Sequence, residues 1–213
     1  MPRKISKSLI LPGLFGPVIF ASVVFLSGLA YPGYDHANRV ISDLGAAGSP
    51  VQLFMNVFGF MLLGIFIIAF SAGVYGIRKG AFGKLASVLF ALGGLAMFLI
   101  GVFPSDAPCG EGPRFCPPLT STAEMHNIAT YITFVFLFPA FILLVADTRN
   151  EKSMRYYFAV AGVLGVIIAY FAYAWIVASD GVLTGIKQRA TLGAFFLLLM
   201  YTALKLRRLE VNK

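Results

Sequence analysis

The sequence predicts an all-α, polytopic membrane protein: a bundle of six transmembrane helices with a short interfacial helix after the first span. Three observations carry that prediction. Of 213 residues, 59% are hydrophobic and 12% charged, and the mean hydropathy is +0.84. A soluble domain carries about 25% charged residues, so lipid has to cover part of this surface. Six apolar runs, about 8–30, 51–77, 85–103, 127–146, 156–178 and 190–206, each have the roughly 20-residue length that crosses a hydrocarbon core as a helix. In lipid every backbone amide must pair within its own segment, which makes such runs helical. They fill nearly the whole chain, so residues 1–213 read as one transmembrane domain.

The third observation is the distribution of charge. Thirteen of the seventeen Lys and Arg lie before the first run (Arg3, Lys4, Lys7), after the second (Arg78, Lys79, Lys84), after the fourth (Arg149, Lys152, Arg155) and at the end (Lys205, Arg207, Arg208, Lys213). The alternate connections hold four: Arg39, Arg114, Lys187 and Arg189. Such a bias in short loops sets orientation, and it predicts that both termini are cytoplasmic. The net charge of +8 is therefore topogenic and does not point to a nucleic acid. The first run has the basic start of a secretory signal, and Gly28 and Ala30 suit a cleavage site. Its apolar stretch is longer than a signal core, so it reads as a retained span.

Along the chain, Pro12 and Pro17 are placed to kink the first span. The stretch YPGYDHANRVISDLG, residues 31–45, follows it. From Asp35 its pattern fits a short helix ending at Gly45, a residue suited to a left-handed cap. Asp35, Arg39 and Asp43 then fall at i, i+4 and i+8 and make two potential ion pairs, with Val40, Ile41 and Leu44 on another side. Such an amphipathic turn would lie in the interface or fold back over the bundle mouth. Ser49-Pro50-x-Gln52 opens the second span with a cap, a first-turn proline and a capping-box partner.

The third span ends in FPSD, which sets Asp106 just outside the membrane. In the following loop, CGEGPRFC places Cys109 and Cys116 in a compartment that permits disulfides. Closing so short a loop contributes ~2.5 kcal/mol in the chain-entropy model, and the spacing is wider than the CxxC of a thiolate metal site. Ser121-x-x-Glu124 is a capping-box pattern that puts His126 in the first turns of the fourth span, with Thr130 and Thr133 on its face. Pro139 is placed to kink that span. Tyr31, Tyr34, Tyr173 and Trp175 suit an interfacial aromatic belt. TGIKQRATLG delivers Gln188 and Arg189 at the outer start of the sixth span.

Both histidines, His36 and His126, and six of the nine acids fall on this outer side. The spans carry almost no ionisable side chain at mid-depth, whereas ion and proton pathways leave charged groups there. A channel or ion-coupled transporter is thus the least favoured class. Four connections bring polar residues to one plane, where a bundle would converge them on one mouth.

The motifs YPGYDHANRVISDLGAAGSP, GVFPSD, the His126 region and GIKQR resemble the domain-of-unknown-function 998 family of prokaryotic multi-pass membrane proteins over nearly the whole chain. The resemblance implies a six-span bundle with a polar extracytoplasmic face, and supplies no reaction. A small helical membrane protein with Ser, Asp and His near one face is also distantly similar to the metal-dependent intramembrane hydrolases that include alkaline ceramidases. This chain departs from them: it has no HxxxH and too few histidines for a three-histidine zinc site.

Three readings follow. The leading one is a protein that binds a membrane lipid, a small molecule or a partner protein at a rim of Tyr34, Asp35, Arg39, Gln188 and Arg189, with Gly93, Gly94, Gly101, Gly162 and Gly165 allowing close helix packing. The second is a hydrolase of lipid or lipid-linked substrates. In it His36, Asp106 and His126, with Asp43 as a further candidate, hold a zinc ion with an open position for water. Its metal-free variant has Ser42 activated by a histidine. The third is a redox protein with His36 and His126 as axial ligands of haem b.

Overall fold

The structure, a computed structural model, describes residues 8–107, 118–151, 154–176 and 182–211. Among them there is no strand. Six long helices follow one another: α1 Pro12–Ala30, α2 Gln52–Ile77, α3 Ala81–Val102, α4 Ser121–Thr148, α5 Arg155–Ile176 and α6 Thr184–Val211. All six are long and apolar enough to cross a membrane. Their bounds agree with the apolar runs to within a few residues, except that α4 and α6 start earlier and carry His126, Gln188 and Arg189 inside their first turns. Cys109 and Cys116 lie outside the described residues.

Helix α3 packs along both α2 and α4, α1 bridges α2 and α6, and α5 pairs with α6. The α2–α3 contact is a backbone contact. A Cβ on Gly64 would lie 2.5 Å from the Phe98 amide nitrogen, and one on Gly94 would lie 2.9 Å from the Gly64 carbonyl. The packing expected at Gly93, Gly94 and Gly101 is therefore present. That expected at Gly162 and Gly165 is not made among the described residues, none of which lies within 4 Å of a Cβ at either. They sit on α5, the least buried span.

The centre is aromatic. Phe70 meets Phe90 at 5.3 Å, Phe90 meets Phe141 at 4.9 Å and Phe141 meets Phe195 at 5.2 Å between ring centroids, all edge-on. Phe20 joins this core from α1 through Phe60 and Phe196. Edge-to-face pairs fill space in the geometry that the ring quadrupoles favour. Buried hydroxyls in the spans (Ser71, Ser87, Thr133, Thr148, Thr202) donate to carbonyls of their own helix.

The chain between α1 and α2 differs from the predicted helix. Residues 36–39 form a turn, closed by the Arg39 amide donating to the Asp35 carbonyl at 2.8 Å, and only Ile41–Gly45 is helical, as a 3₁₀ turn. Gly45 is not the left-handed residue; Gly48 is, at φ +79°. Gly45 is required for another reason: a side chain there would collide with Asn56 Oδ1. Helix α2 itself contains a π-helical turn, Met55–Met61, which the sequence pattern does not announce. At the entry to α4 the cap is Thr120, one residue before the predicted Ser121, and its hydroxyl accepts from the Ala123 amide at 3.2 Å.

Candidate functional site

One end of the bundle gathers the 31–50 segment, the end of α3 and the starts of α4 and α6. Its centre is Arg189, one turn into α6. Arg189 Nη1 donates to the Arg39 carbonyl at 2.9 Å and to the Gly185 carbonyl at 3.0 Å. Its Nη2 donates to the Tyr34 hydroxyl at 2.7 Å and approaches His36 Nδ1 at 3.3 Å. A guanidinium has only donors. His36 Nδ1 must therefore be the unprotonated nitrogen, with the ring proton on Nε2. The Cε1–Nε2 edge of the ring lies over Gly28, where any side chain would strike it. Burial first, and the Arg189 charge second, hold the His36 pKa below its ordinary value, while the neighbouring Asp35 opposes them.

Tyr34 is the buried pivot. Its hydroxyl donates to the Val40 carbonyl at 2.8 Å while accepting from Arg189. Burial pushes its pKa up to about 12, partly opposed by Arg189. The guanidinium carbons of Arg39 and Arg189 lie 5.1 Å and 5.7 Å from the centroid of this ring. Tyr31 stacks on Tyr34 at 5.8 Å and sits 4.7 Å under Arg39. Cation–π contact of this kind attracts by about 0.5–1 kcal/mol at an exposed site and more when desolvated. Tyr34 thus belongs to the site and not to a surface belt. Tyr173 is 60% exposed on α5.

Of the two expected ion pairs one forms. Arg39 Nε pairs with Asp43 Oδ2 at 3.2 Å, and Arg39 Nη2 donates to Tyr31 at 3.3 Å. Burial raises the Asp43 pKa against the pull of Arg39. Asp35 does not pair with Arg39. Its Oδ1 accepts from the Ala37 amide at 2.8 Å and its Oδ2 from Asn38 Nδ2 at 2.6 Å, an Asx turn. Those bonds, the Asn38 side chain foremost, lower its pKa. Gln188, 7% exposed, accepts the Ile41 amide at 2.6 Å. With the Ile186 amide donating to the Ala37 carbonyl at 3.0 Å, the start of α6 is sewn to the 36–41 turn. All five proposed rim residues except Asp35 therefore meet around Tyr34 and the Arg39 carbonyl.

A second group adjoins the first but stays separate. His126, 3% exposed, places Nδ1 2.8 Å from the Phe103 carbonyl, and its ring is edge-on to Phe60 at 6.1 Å. Asp106 accepts from the Leu119 amide at 2.6 Å and from the Thr120 hydroxyl at 2.7 Å, which lowers its pKa and pins the entry to α4. Ser105 joins the groups: its hydroxyl donates to the Ser42 carbonyl at 3.1 Å and its carbonyl accepts from the Ala47 amide at 2.8 Å.

The predicted zinc set is not brought together. His36 is committed to Arg189 and Gly28, Asp106 to residues 119–120, and His126 to Phe103. Among the described residues no three His, Cys, Asp or Glu are grouped to hold a metal ion. No hydrogen bond links Ser42 Oγ to either imidazole, so the Ser–His pair is not assembled among the described residues. For haem, both imidazoles pack against the protein's own backbone or rings: His36 against Gly28 and Tyr34, and His126 against the Phe103 carbonyl and Phe60. The glutamate of the capping pattern, Glu124, is exposed at the helix start.

Sequence reasoning missed a third cluster, at the opposite end. Arg78, just past α2, donates from Nε to Asp147 Oδ2 at 2.6 Å, from Nη1 to Glu151 Oε1 at 2.6 Å and from Nη2 to the Asp147 carbonyl at 3.1 Å. The side chains of Arg78 and Asp147 are 12% and 6% exposed. The available signal was the pairing of a lone Arg at one helix end with two acids four residues apart on the same side.

Neither a curated protein nor a solved structure matches the chain. A family model described as protein of unknown function (DUF998) matches residues 14–205. That match spans all six membrane helices and the polar mouth between α1 and α6, so this multi-pass membrane protein belongs to the DUF998 family.

Proposed function

We propose that this protein is a binding protein of the cell membrane that holds an anionic group, the phosphate of a lipid headgroup or a free anion, at the mouth around Tyr34. The observation that carries the reading is a charge imbalance. Two guanidiniums, Arg39 and Arg189, flank one phenol ring, and of the two Arg39 alone is ion-paired, with Asp43. Arg189 has no carboxylate partner among the described residues, and Asp35 is turned away to Asn38. Arg39 makes no hydrogen bond through Nη1 to a described residue, and its side chain is 24% exposed. A planar guanidinium with a free edge in a partly dry site is suited to phosphate and carboxylate. The Lys/Arg bias supports placing this mouth outside and both termini in the cytoplasm.

The test compares thermal unfolding in nanodiscs of phosphatidylcholine, of phosphatidylglycerol, and of phosphatidylcholine with inorganic phosphate. Stabilisation in phosphatidylglycerol alone identifies a lipid headgroup, and stabilisation by phosphate identifies a free anion. In either case Arg39→Gln should remove it, by the roughly 1.5–3 kcal/mol of a hydrogen bond to a charged group. Stabilisation in neither medium sinks the reading.

A further inference from the structure

The imidazole in the mouth around Tyr34 faces the guanidinium at the centre of the cluster. His36 Nδ1 lies 3.3 Å from Arg189 Nη2, and a guanidinium offers only donors. The empty mouth therefore needs Nδ1 bare, and a proton gained by His36 goes to this nitrogen. Protonation turns the contact into two facing donors and two adjacent positive charges.

Both partners are held on their other sides. The Cε1–Nε2 edge of the ring rests on α1 at Gly28, and Tyr34 stands edge-on to it at 4.9 Å between centroids. Arg189 is tethered through Nη1 by the Arg39 carbonyl at 2.9 Å and the Gly185 carbonyl at 3.0 Å. The charged groups that act on the ring are Arg189 from α6 and Asp35 from its own segment, while α1 presents only Gly28. Asp35 is bonded to Asn38 and the Ala37 amide, and Arg39 is paired with Asp43. Burial and then Arg189 lower the His36 pKa against the pull of Asp35.

An anion seated between the two cations reverses that balance. It accepts from a protonated Nδ1 as well as from a guanidinium, and such charge-assisted bonds are about twice as strong as neutral ones. Resting on the anion-binding reading above, we infer that the mouth takes up its anion together with one proton at His36 Nδ1, so that anion affinity rises as the pH falls. By linkage, a ligand that favours the protonated ring raises its pKa, and protonation tightens the ligand by the same factor.

The test is isothermal titration calorimetry of the full chain in phosphatidylcholine nanodiscs at about pH 7.5 and about pH 5.5, which bracket the imidazole. Ionic strength is fixed and empty nanodiscs serve as the blank. Sodium sulfate reads a free anion and dihexanoyl phosphatidylglycerol a lipid phosphate, and both keep their charge over that range. Whichever probe binds should do so about tenfold more tightly at the lower pH. Titration in buffers of different ionisation enthalpy should show proton uptake on binding. His36→Gln should lose both the pH dependence and the uptake. Asp35→Asn, which keeps a residue able to form the same turn, should move the rise to lower pH, and tests the same claim if His36→Gln does not fold. Equal affinity at the two pH values overturns the inference and leaves the anion reading standing. So does a rise that persists in His36→Gln, because protonation of Asp43, which releases Arg39, then carries it. Binding of neither probe at either pH overturns both.

Discussion

Arg78 and Arg189 stand at opposite ends of the bundle and are accommodated in opposite ways. Arg78 is gripped by Asp147 and Glu151 at 2.6 Å each, and all three side chains are mostly buried. Arg189 makes four bonds to Arg78's three, yet its acceptors are two carbonyls, a phenol and an imidazole. The first arrangement cancels the cation and leaves a surplus of negative charge. The second fixes the geometry without an ion pair to a described carboxylate. One arginine is a lock between the α2–α3 turn and the end of α4; the other holds the 34–39 segment against the start of α6.

Breaking the lock should have the largest effect. Arg78→Met leaves two carboxylates buried without a counter-ion, which destabilises by about 3–5 kcal/mol. Thermal unfolding in detergent measures it, and adding Asp147→Asn should restore part of the loss. Arg189→Gln should cost less, about 2 kcal/mol, because carbonyl and phenol acceptors are left behind instead of charges. Hydrogen exchange should then quicken in residues 31–45 and 183–189 and stay unchanged around Arg78. A loss as large as that of Arg78→Met would mean the two ends do not differ in kind.

Tyr34→Phe removes one hydroxyl from the Arg189 cluster and should cost about 1 kcal/mol, read by the same unfolding curve. The smallest expected effect is a pH dependence confined to the mouth. His36 is held neutral, with its pKa below the ordinary 6.5, by burial and by Arg189 from α6, with only the adjacent Asp35 opposing. An unfolded chain binds that proton more readily, so the contribution is complete above pH 6.5 and declines as the pH falls through the lowered folded value. Protection of residues 31–45, taken relative to the intrinsic exchange rate at each pH, should therefore fall between pH 7.5 and about 5, and His36→Gln should flatten the profile. No change over that range would show that the Arg189–His36 contact does not hold the segment.

The sequence made the spans legible because apolar length is a property of each segment alone. The polar side of the mouth was legible for the same reason: Arg39–Asp43 is a local i, i+4 pair, and Gln188-Arg189 stands beside a span start. What depended on a second helix was not. Asp35 is as well spaced for Arg39 as Asp43 is, but an Asn three residues on offered a shorter bond. Gly45 looked like a cap, yet its requirement is Asn56 from α2. The π-helical turn has no compositional mark, and Arg78 read as one of the orientation charges, with nothing local to pair it with Asp147 and Glu151. His36, Asp106 and His126 share a plane, but each found a nearer partner, so a shared plane did not become a shared ligand set.

The most direct test of the charge imbalance at the Tyr34 mouth is native mass spectrometry of the protein released from mixed phosphatidylglycerol and phosphatidylcholine, for wild type and Arg39→Gln. Preferential retention of phosphatidylglycerol by wild type, falling about tenfold in the variant, is the expected result. Equal retention by both proteins would contradict a role for this mouth in holding an anionic headgroup.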